Sequence, residues 1–228
     1  MNKKENENVN TSAFYDMTYG MFILGAIKDD KHTGCTVNTV VQISSDPHLL
    51  SVSIHHDNYT NSVLKETGLA TVNILAQGAS MEVIRTFGFQ SGKEINKFEK
   101  IPFLPTADNL PVLEEGICGW FECKVRDSIE LPTSTLFILE VFEAERLGDH
   151  VSPMTYAYYQ MMLRGGVPKN APGHTLPEEE GGAPAEPQYV CSICGCAYDN
   201  SEGPFEFLPP DWRCPDCRAQ KPSFIIKT

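Results

Sequence analysis

Two cysteine pairs, Cys191 with Cys194 in YVCSICGCAYD and Cys214 with Cys217 in LPPDWRCPDCRAQKPSF, carry the most specific chemistry in this 228-residue chain. A C-x-x-C spacing sets two thiolates on one tight turn where both reach the same ion, and two such knuckles complete a tetrahedral four-sulfur cage. That cage suits zinc or iron, and the spacing does not choose between them. Cys196 follows a ligand by two residues; with four positions filled by the pairs, it is expected to be a spare thiol beside the site. Five of the eight cysteines fall in the last 38 residues. Cys35, Cys118 and Cys123 are scattered and expected to stay free, with Cys123 a core residue among the alternating apolar positions of WFECKV.

The elements that must position these groups divide in two. Residues 165–188, GGVPKNAPGHTLPEEEGGAPAEPQ, are rich in Gly, Pro and Glu and have little to bury against the entropy of ordering. They read as a linker between a large domain, 1–164, and a small one, 189–228, with the run Glu178 to Glu180 as a solvated spacer. The formal charge is −12, and the large domain holds most of it, with 13 basic against 21 acidic residues, while the tail has 4 against 5. A surface of that sign repels nucleic acid and anionic membrane, leaving small ligands and proteins as partners. MNKKENENVN lacks the apolar core of a signal peptide, and no stretch approaches the roughly 20 apolar residues of a span. A cytoplasmic, reducing location is therefore expected, in which clustered thiols are metal ligands rather than disulfides.

In the large domain GMFILGAI, CTVNTVVQIS, LLSVSIHH, ATVNIL, GWFECKVRDSIEL and STLFILEVFEAERL are β-branched and aromatic runs bounded by turn residues, the signature of strands. NYTNSVLKETG predicts a short helix with Thr60 as N-cap and Gly68 as stop, and ASMEVIRTFG predicts a second. At least six strands with few helices are expected to close into a barrel, which removes exposed edges. The fold class is mainly β.

Around the two knuckles stand Tyr189, Gly195, Tyr198-Asp199, Gly203, Phe205, Leu208-Pro209, Trp212, Pro215, Lys221 and Phe224, an aromatic core for about forty residues. This stretch resembles rubredoxin. The resemblance implies that Cys191, Cys194, Cys214 and Cys217 hold one iron that shuttles a single electron. Nineteen residues separate Cys194 from Cys214, fewer than rubredoxins usually have, so a surface loop is trimmed while both knuckles survive.

Neither a G-x-G-x-x-G after a strand nor a P-loop occurs, so a phosphate must be held otherwise. TGCTVNTVVQISSDPHLLSVSIHHDNYTNS supplies hydroxyls, amides and imidazoles near a helix start, which satisfy a phosphate without bulk positive charge. Tyr19-Gly20, Gly34, Thr36 to Thr39, Gln42, Ser45, Pro47, Asn58 to Thr60, Val72-Asn73, Phe87-Gly88, Ser91-Gly92 and Lys97-Phe98 together resemble the flavin reductase-like, FMN-binding split-barrel family over residues 9–164. With PMTYAYYQMMLRGGVPKNAPG at its end and a rubredoxin behind it, the chain is similar to the flavin reductase and rubredoxin fusions of anaerobic bacteria.

That resemblance implies an FMN site. Thr36, Val37, Asn38 and Thr39 would meet the ring edge with Gln42 nearby; Ser53, His55, Asn58 and Thr60 would hold the ribityl phosphate. Phe87, Gly88, Ser91, Gly92 and Lys97 would close over the ring and bring a cation to it. Of the adjoining His55 and His56, one is expected to be exposed and inert. One family feature is absent: where relatives carry Gly-Asp-His before a strand, this chain has Pro132-Thr133-Ser134, which puts nicotinamide handling in question.

The activity implied is electron transfer: NAD(P)H gives a hydride to FMN, which passes the two electrons singly to the iron and on to an external acceptor. In these fusions that acceptor is a flavodiiron protein reducing nitric oxide or oxygen. A homodimer is expected from the family. Two other readings are a zinc-ribbon docking protein without reductase activity and a reductase releasing free flavin to a monooxygenase, the second of which leaves the rubredoxin unexplained.

Overall fold

A turn of two aspartates joins the first pair of strands. Asp29 and Asp30 sit at φ 48° and 60°, the left-handed values a two-residue hairpin turn requires and Asp tolerates. They link β1 (Phe22–Lys28) to β2 (Lys31–Val37). The computed structural model describes residues 9–148, 151–163, 188–194, 196–198, 205, 208–209 and 212–227. The chain divides into two units, Met1–Thr175 and Leu176–Thr228. The expected linker, Gln188 excepted, lies outside the described residues, as do Gly195, Asp199 and Gly203.

The first unit is built on one antiparallel sheet. Its further strands are β3 (Val41–Ser45), β4 (His48–His55), β5 (Leu69–Leu75), β8 (Ile117–Glu130) and β9 (Ser134–Arg146), in the spatial order β2-β1-β5-β8-β9-β4-β3. A short hairpin of β6 (Phe103–Pro105) and β7 (Pro111–Leu113) stands apart from the sheet. On β4, Leu50, Val52 and Ile54 are buried while the residues between them are not, the period-2 alternation of a half-buried strand. Leu24, Val37, Leu50, Val52, Phe137 and Leu139 share one interior cluster. Val37 lies on one end strand and Leu50 beside the other, so the sheet must roll until its ends meet. Among the described residues no ladder joins β2 to β3. The barrel is closed there by packing and remains split.

The seam between β2 and β4 is clasped by a single side chain. The Thr39 hydroxyl donates to the Ser53 carbonyl at 3.1 Å and accepts from the Ser53 N–H at 3.1 Å. Here the structure corrects one expectation: CTVNTVVQIS is not one strand. Its first half ends β2 and its second is β3, and Asn38 to Val40 carry the chain from one end of the sheet to the other. Residues on both sides of the break are strand formers, and the turn-favouring Asn38 is all that locally marks the crossing.

Two helices pack beside the seam. In α1 (Tyr59–Thr67) the N-cap is Asn58, whose Oδ1 accepts from the Thr60 N–H at 3.0 Å, and not Thr60, which lies in the first turn. Gly68 ends the helix in the left-handed region at φ 70°, its N–H donating to Leu64, as a C-terminal glycine does. In α2 (Met81–Phe89) the Ser80 hydroxyl accepts from the Val83 N–H, and the helix runs through Gly88. A third helix, α3 (Tyr156–Leu163), was not expected. Ile84 and Phe87 of α2 and Tyr159 of α3 bury their side chains with Met21, Ile23 and Leu75 in a second cluster on the outer face of β1 and β5.

The second unit is organised on a hairpin of β10 (Gln188–Cys191) and β11 (Phe224–Lys227). Tyr189 stacks on Phe205 with centroids 4.3 Å apart, and Phe205, Trp212, Tyr198 and Phe224 meet at tilted or edge-on angles. The Lys221 ammonium closes the core by donating to the Leu208 carbonyl at 2.6 Å.

Candidate functional site

A cavity of ≈ 410 Å³ opens at the seam, within the range of small-molecule sites. Thr36, Val37 and Asn38 line it from the end of β2, and Ser53, His55 and Asn58 from β4 and the start of α1. Phe87, Gly88, Ser91, Gly92 and Lys97 line it from α2 and the loop beyond. Eleven of the fourteen residues expected at a flavin thus surround one cavity. The other three do not. Thr39 is the clasp, Thr60 is buried in the first turn of α1, and Gln42 projects from the edge strand, its amide donating to the Ser44 carbonyl at 3.2 Å.

The cavity carries unsatisfied polar groups. The Thr36 hydroxyl and the Asn38 amide nitrogen are buried and have no partner among the described residues, and a buried donor without a partner costs on the order of 1–3 kcal/mol. A ligand offering acceptors to both removes that cost. The α1 N-terminus opens beside them, with Asn58 and Tyr59 both on the cavity wall, and the positive end of the helix favours an anion. Gly92 permits a close approach: a Cβ there would stand 2.2 Å from the Thr33 hydroxyl and 3.1 Å from the Tyr59 ring. Hydroxyl, amide and helix-end donors beside the ring of Phe87 match the polar edge, phosphate and flat face of FMN.

Lys97 is buried in the wall, donating to the Gly34 carbonyl at 2.8 Å and the Phe87 carbonyl at 3.2 Å. Burial holds its ammonium below the usual lysine range, while the Cys35 thiol pulls the other way. One cation therefore ties β2, α2 and the segment beyond α2 together. His55 lines the cavity with Nδ1 accepting from the Asp57 N–H at 3.2 Å, whereas His56 lies 3.2 Å from the Glu130 carboxylate and off the cavity. Ser134 accepts a hydrogen bond from the Ser53 hydroxyl at 3.1 Å.

Sequence reasoning missed Met21, Tyr156 and Tyr159, which line the cavity from before β1 and from α3. The aromatic run TYAYY was visible as a motif. Its position on the cavity wall depends on the chain returning after β9, where the Tyr156 N–H bonds the Tyr19 carbonyl at 2.8 Å.

In the second unit the Sγ atoms of Cys191, Cys194, Cys214 and Cys217 all lie within 4.8 Å of one another. Cys191 to Cys217 and Cys194 to Cys214 are each 3.7 Å. Metal–sulfur bonds of about 2.3 Å at tetrahedral angles set neighbouring sulfurs about 3.8 Å apart, so the four sulfurs stand at metal-cage spacing. Burial opposes ionisation of Cys214, but the amide N–H groups of Cys217 and Asp216 donate to its sulfur and bring the thiol down to about 7. Such amides favour thiolates, the form that binds metal.

Comparison with known proteins agrees with both units. Residues 14–166 match the family model described as flavin reductase like domain. The chain is 36% identical over 227 residues to the high molecular weight rubredoxin of Moorella thermoacetica, covering 95% of this chain and 99% of that protein. It is 31% identical to the ferric-chelate reductase (NAD(P)H) of Archaeoglobus fulgidus, covering 72% of this chain and 96% of that one. In fold it is similar to the NADH:FAD oxidoreductase of Streptomyces globisporus, with a TM-score of 0.59 at 19% identity over 68% of this chain and 90% of the other.

Proposed function

The chain belongs to the flavin reductase-like domain family, with a rubredoxin-like four-cysteine module behind that domain, and from this premise we propose that it is an FMN-dependent electron-transfer oxidoreductase. It takes electrons from NAD(P)H, delivers them singly to one iron held by Cys191, Cys194, Cys214 and Cys217, and passes them to an external acceptor, a flavodiiron protein reducing nitric oxide or oxygen. The observation that carries this reading is the presence on one chain of a polar, anion-favouring cavity and a four-sulfur cage.

Bound in the cavity, FMN supplies acceptance of two electrons together and their release one at a time. Ser53, His55, Asn58 and the positive N-terminal end of α1 would hold its phosphate. Thr36 and Asn38 would meet the polar edge of its ring, and Val37 and Phe87 its apolar parts. Thr39 and Thr60 would position the seam and the helix rather than touch the cofactor. Gly88, Ser91 and Gly92 would exclude water from the ring, and Lys97 would keep a positive charge beside it that favours the reduced, anionic form. The tether between the modules keeps acceptor near donor at an effective concentration on the order of millimolar.

Anaerobic stopped-flow with NADH, following flavin and iron absorption separately, tests the sequence of events. Flavin reduction followed by loss of the ferric–thiolate colour supports it; a flavin reduced by NADH beside an iron band that persists overturns it. Metal analysis returning zinc, with no flavin in the purified protein, would favour the docking-protein alternative. The reading includes a cytoplasmic homodimer, and a gel-filtration mass of one chain contradicts that part.

A further inference from the structure

Tyr59 stands where the anion-favouring end of the cavity closes. It is the first residue of α1, directly after the cap Asn58, and its carbonyl accepts from the Ser62 hydroxyl at 2.7 Å, so the backbone that carries the ring is held. The ring lines the cavity. The segment beyond α2 lies against it. A Cβ on Gly92 would stand 3.1 Å from the ring and 2.2 Å from the Thr33 hydroxyl, so the segment comes this near only because residue 92 is a glycine. The exposed Lys93 ammonium lies over the same ring, 6.0 Å from its centroid. Both ends of this segment are anchored. The Ser91 hydroxyl accepts the Lys93 N–H and its carbonyl accepts the Glu94 and Ile95 N–H groups, while Lys97 ties the far end to β2 and α2. Tyr59, Gly92 and Lys93 therefore make a wall and not a flap.

We infer that Tyr59 is a specificity-determining residue that restricts the site to a mononucleotide flavin by barring the adenosine of a dinucleotide. This rests on the flavin reading above, in which the phosphate lies at the start of α1. In FMN the chain ends at that phosphate. In FAD the same phosphate is joined through a second one to adenosine, and this extension has to leave the cavity past the residues around the start of the helix. At Tyr59 the ring is already covered by Gly92. At Asp57, which also lines the cavity, the extension meets an exposed carboxylate in place of a donor. Both features act against the larger ligand rather than for the smaller one, which is specificity by exclusion. With the ring removed, a gap opens beside Gly92 and Lys93 is released to meet the second phosphate.

The test is isothermal titration of the full-length protein, freed of flavin, with FMN and separately with FAD, comparing wild type with Y59F and Y59A. Wild type is expected to bind FMN on the order of 100-fold more tightly than FAD, Y59F to keep that ratio, and Y59A to lower it roughly tenfold through tighter FAD binding. Wild type that binds both flavins equally overturns the inference, as does a Y59A ratio that stays unchanged. A ratio that falls only because FMN binds more weakly overturns it too, since a ring that merely supports the FMN site would give that result. A Y59F ratio as low as that of Y59A assigns the selection to the hydroxyl and also overturns it. Circular dichroism melts report whether Y59A is folded; if it is not, Y59L decides in the same terms. Wild-type protein that binds neither flavin overturns the flavin reading and this inference with it.

Discussion

Lys97 and Glu122 are charged groups buried in the first unit for opposite reasons. The Lys97 ammonium serves two main-chain carbonyls. Lys97→Met leaves both carbonyls unpaired and should cost on the order of 1–3 kcal/mol in a urea melt, together with weaker flavin retention on gel filtration. Burial lowers its pKa from 10.5. Between that lowered value and 10.5 the unfolded chain binds more protons, so the stability this group contributes rises with pH, and Lys97→Met should abolish that rise. Glu122 accepts from the Thr106 hydroxyl at 2.7 Å and lies directly across the ladder from Glu143. Burial, and the charges of Asp108 and Glu143, raise its pKa from 4.5 despite the Thr106 bond. Its contribution is then present below 4.5 and lost as pH rises through the raised value. Glu122→Gln keeps the Thr106 acceptor, so thermal melts should show the variant gaining on wild type from acid to neutral pH and matching it near pH 4.

At the scale of elements, α1 does two jobs that substitutions can separate. Asn58 caps the helix and also lines the cavity, so Asn58→Ala should cost about 1 kcal/mol of stability and weaken flavin binding as well. Gly68 ends the same helix at φ 70° with open space around it. Gly68→Ala should cost about 1 kcal/mol through backbone strain alone, with flavin affinity unchanged by fluorescence titration. The seam offers a parallel contrast. Thr39→Val removes the clasp to both polar groups of Ser53 without touching the cavity lining. It should lower flavin affinity through a loosened Asn38, while Gln42→Ala, on the exposed edge of β3, should leave affinity as it is.

At the scale of the whole molecule the two units differ in what stabilises them. The first has two extensive apolar clusters. The second spans 53 residues around one aromatic cluster that includes ligand cysteines, and a core of that size gains much of its folding energy from a bound metal. Cys214→Ser or removal of the metal should abolish the melting transition of the tail in calorimetry, leaving that of the first unit in place.

The residues of the chain determined by themselves whatever is local. The cage was legible because both knuckles are short loops whose ligand types and spacing already bring pairs of sulfurs together. The strands of the barrel and the Gly68 stop were legible from alternation and turn chemistry, and most of the residues that line the cavity from resemblance. The tertiary structure alone decided where the sheet splits, since the single turn-favouring residue Asn38 does not by itself send the chain across, and the crossing at Asn38 to Val40 follows from placing β2 and β3 at opposite ends of one sheet. It decided the far wall of the cavity too, because Tyr156 and Tyr159 line it with Phe87 only when the chain returns to Tyr19 after β9. It also turned Thr39 into a clasp and moved the cap from Thr60 to Asn58. The crossing, the far wall and the clasp are consequences of contacts between segments far apart in the chain, which no local pattern encodes, whereas the cap is a bond between residues two apart.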